Sequence, residues 1–398
     1  MEYNTWLAPL QIGEEPLLID LTRLIACYRE VEDQRDARGL RYPLWLLLAI
    51  ATLAKLAGIN ELHAVAEWAQ HRTRELCALF SFWRFRLPVA TTWTRVFARA
   101  VDVEALQRKL KEVWGAGPDQ PPARGSLCVA LDGKKLRGTV RGTTGGKHLL
   151  ALYVPKTGVV LAQVELADQE NEISAAPRVL LGLDLRGMVV TGDALLAQRQ
   201  LSVQIVEAGG DYLWNVKDNQ PRLKEEIEAV FAPVPEAPGG GEPPARIDRA
   251  STGYEKGHGR LEKRTLWSSG ILQGYSDWPY LAQVFQLETV SLDLATRQET
   301  CTIRYGVTSL PAECADAARL LELVREHWGI ESGLHYCRDV DFAEDRCPTR
   351  MGHAAHLNAT LNNIALAYLH RQKAPSLAAA RRLMGYLIEG LIARMCFT

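Results

Sequence analysis

GMVVTGDALLAQRQLSVQIVEAGGDYLWNV, residues 187–216, places a short β-forming run, a stretch with helical apolar spacing and a second β-forming run in series. Apolar positions in LLAQRQLSVQIVEAG recur every three or four residues, as on one face of a helix. Upstream, EISAAPRVLLGL (172–183) has the same spacing, and SLCVALD (126–132), HLLALYV (148–154) and GVVLAQVEL (158–166) are three more β-forming runs. Three strands followed by strands alternating with helices predict a mixed sheet with an α/β half.

Working outward, residues 1–114 read as a helical N-terminal domain, with helical periodicity in LLIDLTRLIACYREV, LWLLLAIATLAKLAG, LHAVAEWAQ and TRVFARAVDVEALQRKLKEVW. GAGPDQPPARGS, 115–126, has the glycine and proline density of a linker. Residues 127–216 form the first part of the α/β core. Residues 217–311 read as a β-rich insertion, with β-type runs RLEKRTLWSS, YLAQVFQLETV and TCTIRYGVTS beside the low-complexity APVPEAPGGGEPPA. From residue 312 to 398 the helical period returns in one long run, PAECADAARLLELVREHWGIESGLHYC, and continues to the C-terminus.

Composition narrows the class. The chain has 398 residues, 47% hydrophobic and 23% charged, which is the make-up of a folded protein rather than a disordered one. PLWLLLAIATLA is stopped by Lys55 short of the roughly twenty residues a bilayer span needs, and no secretory signal precedes it. A cytoplasmic protein is expected. The eight cysteines are scattered without a Cys-x-x-Cys pair, which argues against structural zinc and for reduced packing residues. A formal charge of −1 excludes a uniformly basic coat but not local patches among 46 Lys and Arg.

Three carboxylates stand out. Asp132 is placed where SLCVALD ends, and taken alone an Asp-Gly hairpin turn is the favoured explanation. Asp193 ends GMVVTGD before a helix, where it could serve as an N-cap. Glu331 lies on the long C-terminal run, where an exposed helical Glu is ordinarily solvated, but flanking Trp328 and Ile330 predict a shielded face. Together the three suggest a divalent-cation site. Hard cations take oxygen ligands, and two ions about 4 Å apart stabilise both oxygens of an in-line phosphoryl displacement. Basic residues suit a polyanionic substrate: Lys134, Lys135, Arg137 and Arg141 follow Asp132, and YEKGHGRLEKR supplies Lys256, His258, Arg260, Lys263 and Arg264. On an uninterrupted helix, Glu331, His335 and Arg338 share one face, from which a cation could clamp a phosphate. His335 could equally be a packing residue.

ALDGKKLRG, the block VELADQENEISAAPRVLLGLDLRGMVVTGDALLAQRQLSVQIVEAGGDYLWNVKDNQP, then KGHGRLEKRTL and HWGIESGLHYCRDVDFAED resemble the blocks of bacterial insertion-sequence DDE transposases of the H-repeat-associated type. RYPLWLLLAIATLAKLAG through TTWTRVFARAVDVEAL is similar to the helical region that precedes catalysis in that group. The resemblance implies an RNase H-like catalytic domain with a β-rich insertion, in which Asp132, Asp193 and Glu331 hold Mg²⁺, with Mn²⁺ as a substitute and two ions expected. It extends the DNA-contacting set to Lys217, Asn219, His258, Arg260, His327 and Trp328, beside Lys134, Lys135, Arg137, His335 and Arg338. In related transposases the Glu segment carries a Tyr, an Arg and a Lys at fixed spacing. Val324, His327 and Arg338 occupy those positions here.

The implied activity is binding of an element's terminal inverted repeats, Mg²⁺-dependent cleavage of 3′ ends and transfer of the 3′-OH to target DNA, with two copies pairing the ends and the protein acting at the nucleoid. The insertion is implied to handle end DNA. Trp267 and Trp278 within it could stack on an unpaired base, with core packing the favoured alternative. A domesticated nuclease of the same type and a catalytically silent DNA-binding protein are the competing expectations.

Overall fold

LWLLLAIATLAKL has no polar face, and the helix it forms is buried on nearly every side. That run anchors a computed structural model that describes residues 10–11, 16–17, 21–83, 86–115, 122–140, 146–232, 247–257, 259–372 and 374–394. After β1 (Leu10–Gln11) and β2 (Pro16–Leu17) come six helices: α1 (Thr22–Glu30), α2 (Leu44–Leu56), α3 (Leu62–His71), α4 (Thr73–Leu79), α5 (Ala90–Arg99) and α6 (Val103–Gly115). The middle of the chain forms β3 (Leu127–Leu136), β4 (Lys147–Val154), β5 (Val159–Glu165), α7 (Glu172–Leu180), β6 (Met188–Gly192), α8 (Arg199–Glu207), β7 (Asp211–Val216) and α9 (Pro221–Phe231). Beyond these lie β8 (Asp248–Ser251), β9 (Glu255–Gly257), β10 (Arg260–Ser269), β11 (Gln283–Asp293) and β12 (Glu299–Thr308). The last helices are α10 (Ala317–His327), α11 (Tyr336–Val340), α12 (Ala354–His370) and α13 (Leu377–Arg394).

Two compact units divide the chain. One takes residues 1–117, 133–167 and 331–398; the other takes 118–132 and 168–330. In the first, α2 packs against α12, a helix that is likewise buried along almost its whole length. Removing two such apolar helices from water is the main stabilising term there. Strands β4 and β5 pair antiparallel in the same unit, with a bulge between Leu152 and Tyr153. The second half of β3 neighbours β4, giving the order β5-β4-β3.

In the second unit the first half of β3 runs parallel to β6, and β6 parallel to β7. Antiparallel β12, β11, β10 and β8 then extend the sheet in that order. Helix α10 covers it with Leu320, Leu323 and Val324 against Cys128, Val189, Leu213, Leu266 and Phe285. Gly306 on β12 is obligatory by close approach: a Cβ there would stand 2.1 Å from the Phe285 ring and 2.5 Å from the Trp214 carbonyl oxygen. Three strands, β5-β4-β3, and a parallel β3-β6-β7 set make the RNase H-like arrangement.

Three expectations change. β3 does not end at Asp132 but continues to Leu136, so the Asp-Gly pair sits within a strand and makes no hairpin turn. The insertion is not purely β: PRLKEEIEAVF forms α9, with Pro221 at its start, where a missing N–H costs nothing. The C-terminal run is not one helix. It begins at Ala317 with Asp316 as N-cap, leaves α geometry after His327 and passes through a π-helix at Glu331–His335 before α11. The segment APVPEAPGGGEPPA lies almost wholly outside the described residues.

Candidate active site

β3 and β6 are parallel neighbours in register, with Ala130 opposite Thr191. Asp132 and Asp193 each lie two residues further along their strands, so the sheet itself matches the two carboxylates in height. Asp193 is exposed and caps the short 3₁₀ turn Ala194–Leu196, its Oδ1 accepting from the amides of Leu195 (2.9 Å) and Leu196 (3.2 Å). The N-cap role expected of it is therefore real. It fixes the carboxylate's orientation while engaging Oδ1 alone.

The turn after Asp193 is held from behind. Asn219 donates its amide to the Ala194 carbonyl at 2.5 Å, and Gln220 donates to the Ala197 carbonyl at 3.0 Å. Asn219, expected at DNA, uses that donor inside the protein. Exposed Lys217 keeps a place at the surface of the same loop. Thr191, two residues before Asp193, hydrogen-bonds His327 Nδ1 at 3.0 Å, which ties α10 to the strand that carries the carboxylate. Burial lowers the His327 pKa to about 4, so the ring is neutral near pH 7. His327 at the family's Arg position is thus an internal tie and not a DNA cation. Sequence reasoning missed Thr191; its only mark there is its place two residues before an Asp.

In the first unit, Glu331 opens the π-helix. Its side chain is 58% exposed, which corrects the expected shielding by Trp328 and Ile330, and His335 Nδ1 lies 3.7 Å from its Oε2. His335 is buried, and its pKa falls to about 3 because of that burial and the nearby Arg338, Lys134 and His148. Gly333 packs so closely on β4 that a Cβ would stand 2.7 Å from the Tyr153 hydroxyl.

Two cations assigned to DNA are internal. Arg338 is 0% exposed and ion-paired with Glu344 at 2.6 Å; Lys134 is buried and bound to Asp339 at 2.6 Å. The physical reason is the π-helix: one extra residue per turn rotates the downstream positions by about 100°, moving position 338 off the Glu331 face. Arg137 and Lys135 remain exposed, with Arg137 3.6 Å from Asp345. Glu344 is accordingly the partner of Arg338 in the same segment, while Asp339 and Asp345 pair with Lys134 and Arg137. His258 and Arg141 lie outside the described residues.

The second unit also carries a groove of about 590 Å³ near the end of α10. Glu255 there pairs with Arg264 and Arg325, while Lys256, Arg260 and Arg304 line the groove without a salt bridge among the described residues. Trp328 lies on its edge, 51% exposed, with the Arg304 guanidinium 5.7 Å from its ring centre. It is a surface aromatic rather than an anchor; Ile330 alone is buried. Trp278 is buried, in keeping with core packing, and Trp267 lies under Arg249.

Hard carboxylate oxygens at Asp132, Asp193 and Glu331 suit Mg²⁺ or Mn²⁺ and not a thiophilic metal. Asp132 within β3 and Asp193 just after β6 set two carboxylates on neighbouring parallel strands of a mixed sheet. Residues 123–369 match the family described as transposase DDE domain, and residues 25–113 match the one described as DDE_Tnp_1-associated. The chain belongs to the DDE transposases, a family that generally uses divalent metal ions, and within it to the H-repeat-associated group.

"Putative transposase YncI" of Escherichia coli O157:H7 is 28% identical over 352 residues, 85% of each chain. "H repeat-associated putative transposase YhhI" of Escherichia coli K12 is 29% identical over 62% of this chain and 64% of its own. An uncharacterised protein encoded in the dhlA 3′ region of Xanthobacter autotrophicus is 32% identical over 67% of this chain and 87% of its own. Among solved structures, the piggyBac transposase synaptic complex with hairpin DNA aligns at a TM-score of 0.41 and 12% identity, covering 93% of this chain and 78% of that one.

Proposed function

We propose that this transposase binds the terminal inverted repeats of its element, hydrolyses the phosphodiester at each 3′ end and joins the freed 3′-OH to target DNA. The observation that carries the reading is that Asp132, within β3, and Asp193, just after β6, each follow by two residues the paired Ala130 and Thr191 of two adjacent parallel strands. Glu331 is the third ligand in this reading; its carboxylate is exposed, with His335 Nδ1 3.7 Å from Oε2. Mg²⁺, or Mn²⁺ in its place and two ions in all, would supply charge neutralisation at the phosphate and a lowered pKa for the attacking water.

The residues do the rest. Asp193, fixed by its cap bonds, and Asp132, fixed within β3, present oxygens that need not reorganise during the reaction. In the first step water adds to phosphorus, the bond to the 3′ oxygen breaks, and that oxygen leaves as the 3′-OH. In the second step the 3′ oxygen adds to a target phosphorus and displaces the target's own 3′ oxygen, while its proton passes to solvent. Neither step forms a bond to the protein.

DNA as the partner is supported by two cationic surfaces. One is the groove of Lys256, Arg260 and Arg304 beside the Trp328 ring, which suits phosphates with an unpaired base. The other lies within residues 68–101, where Arg74, Arg86, Arg95 and Arg99 are exposed and Glu75 is the single acidic residue of the stretch. Pairing of two ends calls for a homodimer.

The test is cleavage of labelled duplex carrying the element's ends. Asp132→Asn, Asp193→Asn and Glu331→Gln should each reduce Mg²⁺-dependent nicking by roughly a hundredfold or more, with duplex binding in EDTA retained. Wild-type rates in any of the three would remove that residue from the site. Pre-cut ends that yield no joined product would show a nuclease without strand transfer, and no nicking at any Mg²⁺ concentration would show a DNA-binding protein only.

A further inference from the structure

Lys55, on α2, is only 1% exposed. Its Nζ donates to Asn358 Oδ1 at 2.8 Å and Asn362 Oδ1 at 2.7 Å, both on α12, and to the Asn60 carbonyl at 3.3 Å. Asn362 passes the connection on by donating to Glu344 Oε1 at 2.8 Å. The other oxygen of Glu344 accepts from Arg338 Nε at 2.8 Å and lies 2.6 Å from Nη2. Arg338 Nη1 then donates at 3.1 Å to Gln163 Oε1 on β5, an oxygen that also accepts from Asn363 at 2.9 Å.

This ladder is a poor device for stability alone, because buried ion pairs are often matched or bettered by apolar residues of the same volume. What such a network enforces is a single arrangement, since every member left without its partner inside the protein is costly. The arrangement it fixes is that of α11, which continues directly from the π-helix that begins at Glu331. Lys134 bound to Asp339 holds the same segment from β3.

We propose that Lys55 is a positioning residue for Glu331: through Asn362, Glu344 and Arg338, helix α2 holds the segment that presents this carboxylate. The inference rests on Glu331 being a metal ligand. It gives the region that matches the DDE_Tnp_1-associated family a task at a site it does not touch. Burial lowers the pKa of Lys55 to about 8, opposed by Cys347 and Glu344 and aided by Arg381, and these are the charged and titratable groups that face it. Above that pH the ladder loses its terminal cation, so its hold on α11 weakens as pH rises.

The experiment uses full-length protein, hydrogen–deuterium exchange over residues 331–344 and direct Mn²⁺ binding followed by its paramagnetic resonance. In wild type, exchange of this segment, corrected for intrinsic base catalysis, should rise about tenfold between pH 7 and pH 9, with Mn²⁺ affinity falling in parallel. Lys55→Arg, charged throughout, should abolish both changes. Lys55→Met and Asn362→Leu should show fast exchange and about tenfold weaker Mn²⁺ binding at either pH. Lys55→Arg with the wild-type rise, or either ladder-breaking variant folded and binding Mn²⁺ normally, overturns the proposal. If Lys55→Met does not fold, Lys55→Arg and Asn362→Leu decide. Wild-type protein that binds no Mn²⁺ instead overturns the ligand reading on which the inference stands, a separate outcome from normal binding with unchanged exchange.

Discussion

At the scale of single residues, charge is decided by surroundings more than by residue type. His327 bonds Thr191, and its burial keeps it neutral. A depressed folded pKa means the unfolded chain takes up the proton first. Stability should therefore fall as pH drops from about 6.5 towards 4 for His327, and towards about 3 for His356. Each such histidine contributes a slope of up to about 1.4 kcal/mol per pH unit. Thermal melts between pH 7 and pH 4 should show a shallower decline in His327→Gln than in wild type; parallel curves would show that the ring does not titrate in this way. Of the marks that drew attention to the three carboxylates, only the cap position of Asp193 after β6 is found as expected: Asp132 lies inside β3, and Glu331 is exposed. Arg338 and Lys134 could not be read correctly, since their partners Glu344 and Asp339 lie respectively six residues and 205 residues away. No local mark distinguishes a cation that meets phosphate from one that meets a buried acid.

Among the elements, the π-helix Glu331–His335 separates the features that periodicity reveals from those it hides. An apolar repeat every three or four residues continues through 311–337, so a single helix is the natural expectation. Within the widened turn, Gly333 packs against β4, where a Cβ would stand 2.7 Å from the Tyr153 hydroxyl. Gly333→Ala should push the backbone away from the Tyr153 hydroxyl and shift Glu331, lowering cleavage at least tenfold with little change in duplex affinity. The double variant Gly333→Ala/Tyr153→Phe, which removes the obstructing oxygen, should recover much of the activity; no recovery would show that the contact is not the cause. The strands are easier to foresee. GMVVTGD and GDYLWNV form the parallel pair expected of them, because strand, helix, strand is encoded locally. The continuation of β3 past Asp132 is hidden by an Asp-Gly pair that reads as a turn.

For the whole molecule, net charge conceals its distribution. Arg95 and Arg99 are exposed one turn apart on α5, and Arg74 and Arg86 are exposed in the same arginine-rich stretch. If this face meets duplex DNA, Arg95→Glu/Arg99→Glu should lower affinity at least tenfold. It should also flatten the slope of log affinity against log salt by about 1.8, the release expected for two phosphate contacts. An unchanged slope would assign the face to something else. Domain composition is legible along the chain as helices, then strands, then helices, but the two units are not contiguous stretches. That discontinuity bears on synthesis. Helix α2 leaves the ribosome early with an apolar surface on nearly every side, and its cover, α12, emerges roughly 300 residues later. At 5–20 residues per second, α2 waits about 15–60 s for that cover. A chain on which α12 has not yet been made thus exposes a sticky helix in α2.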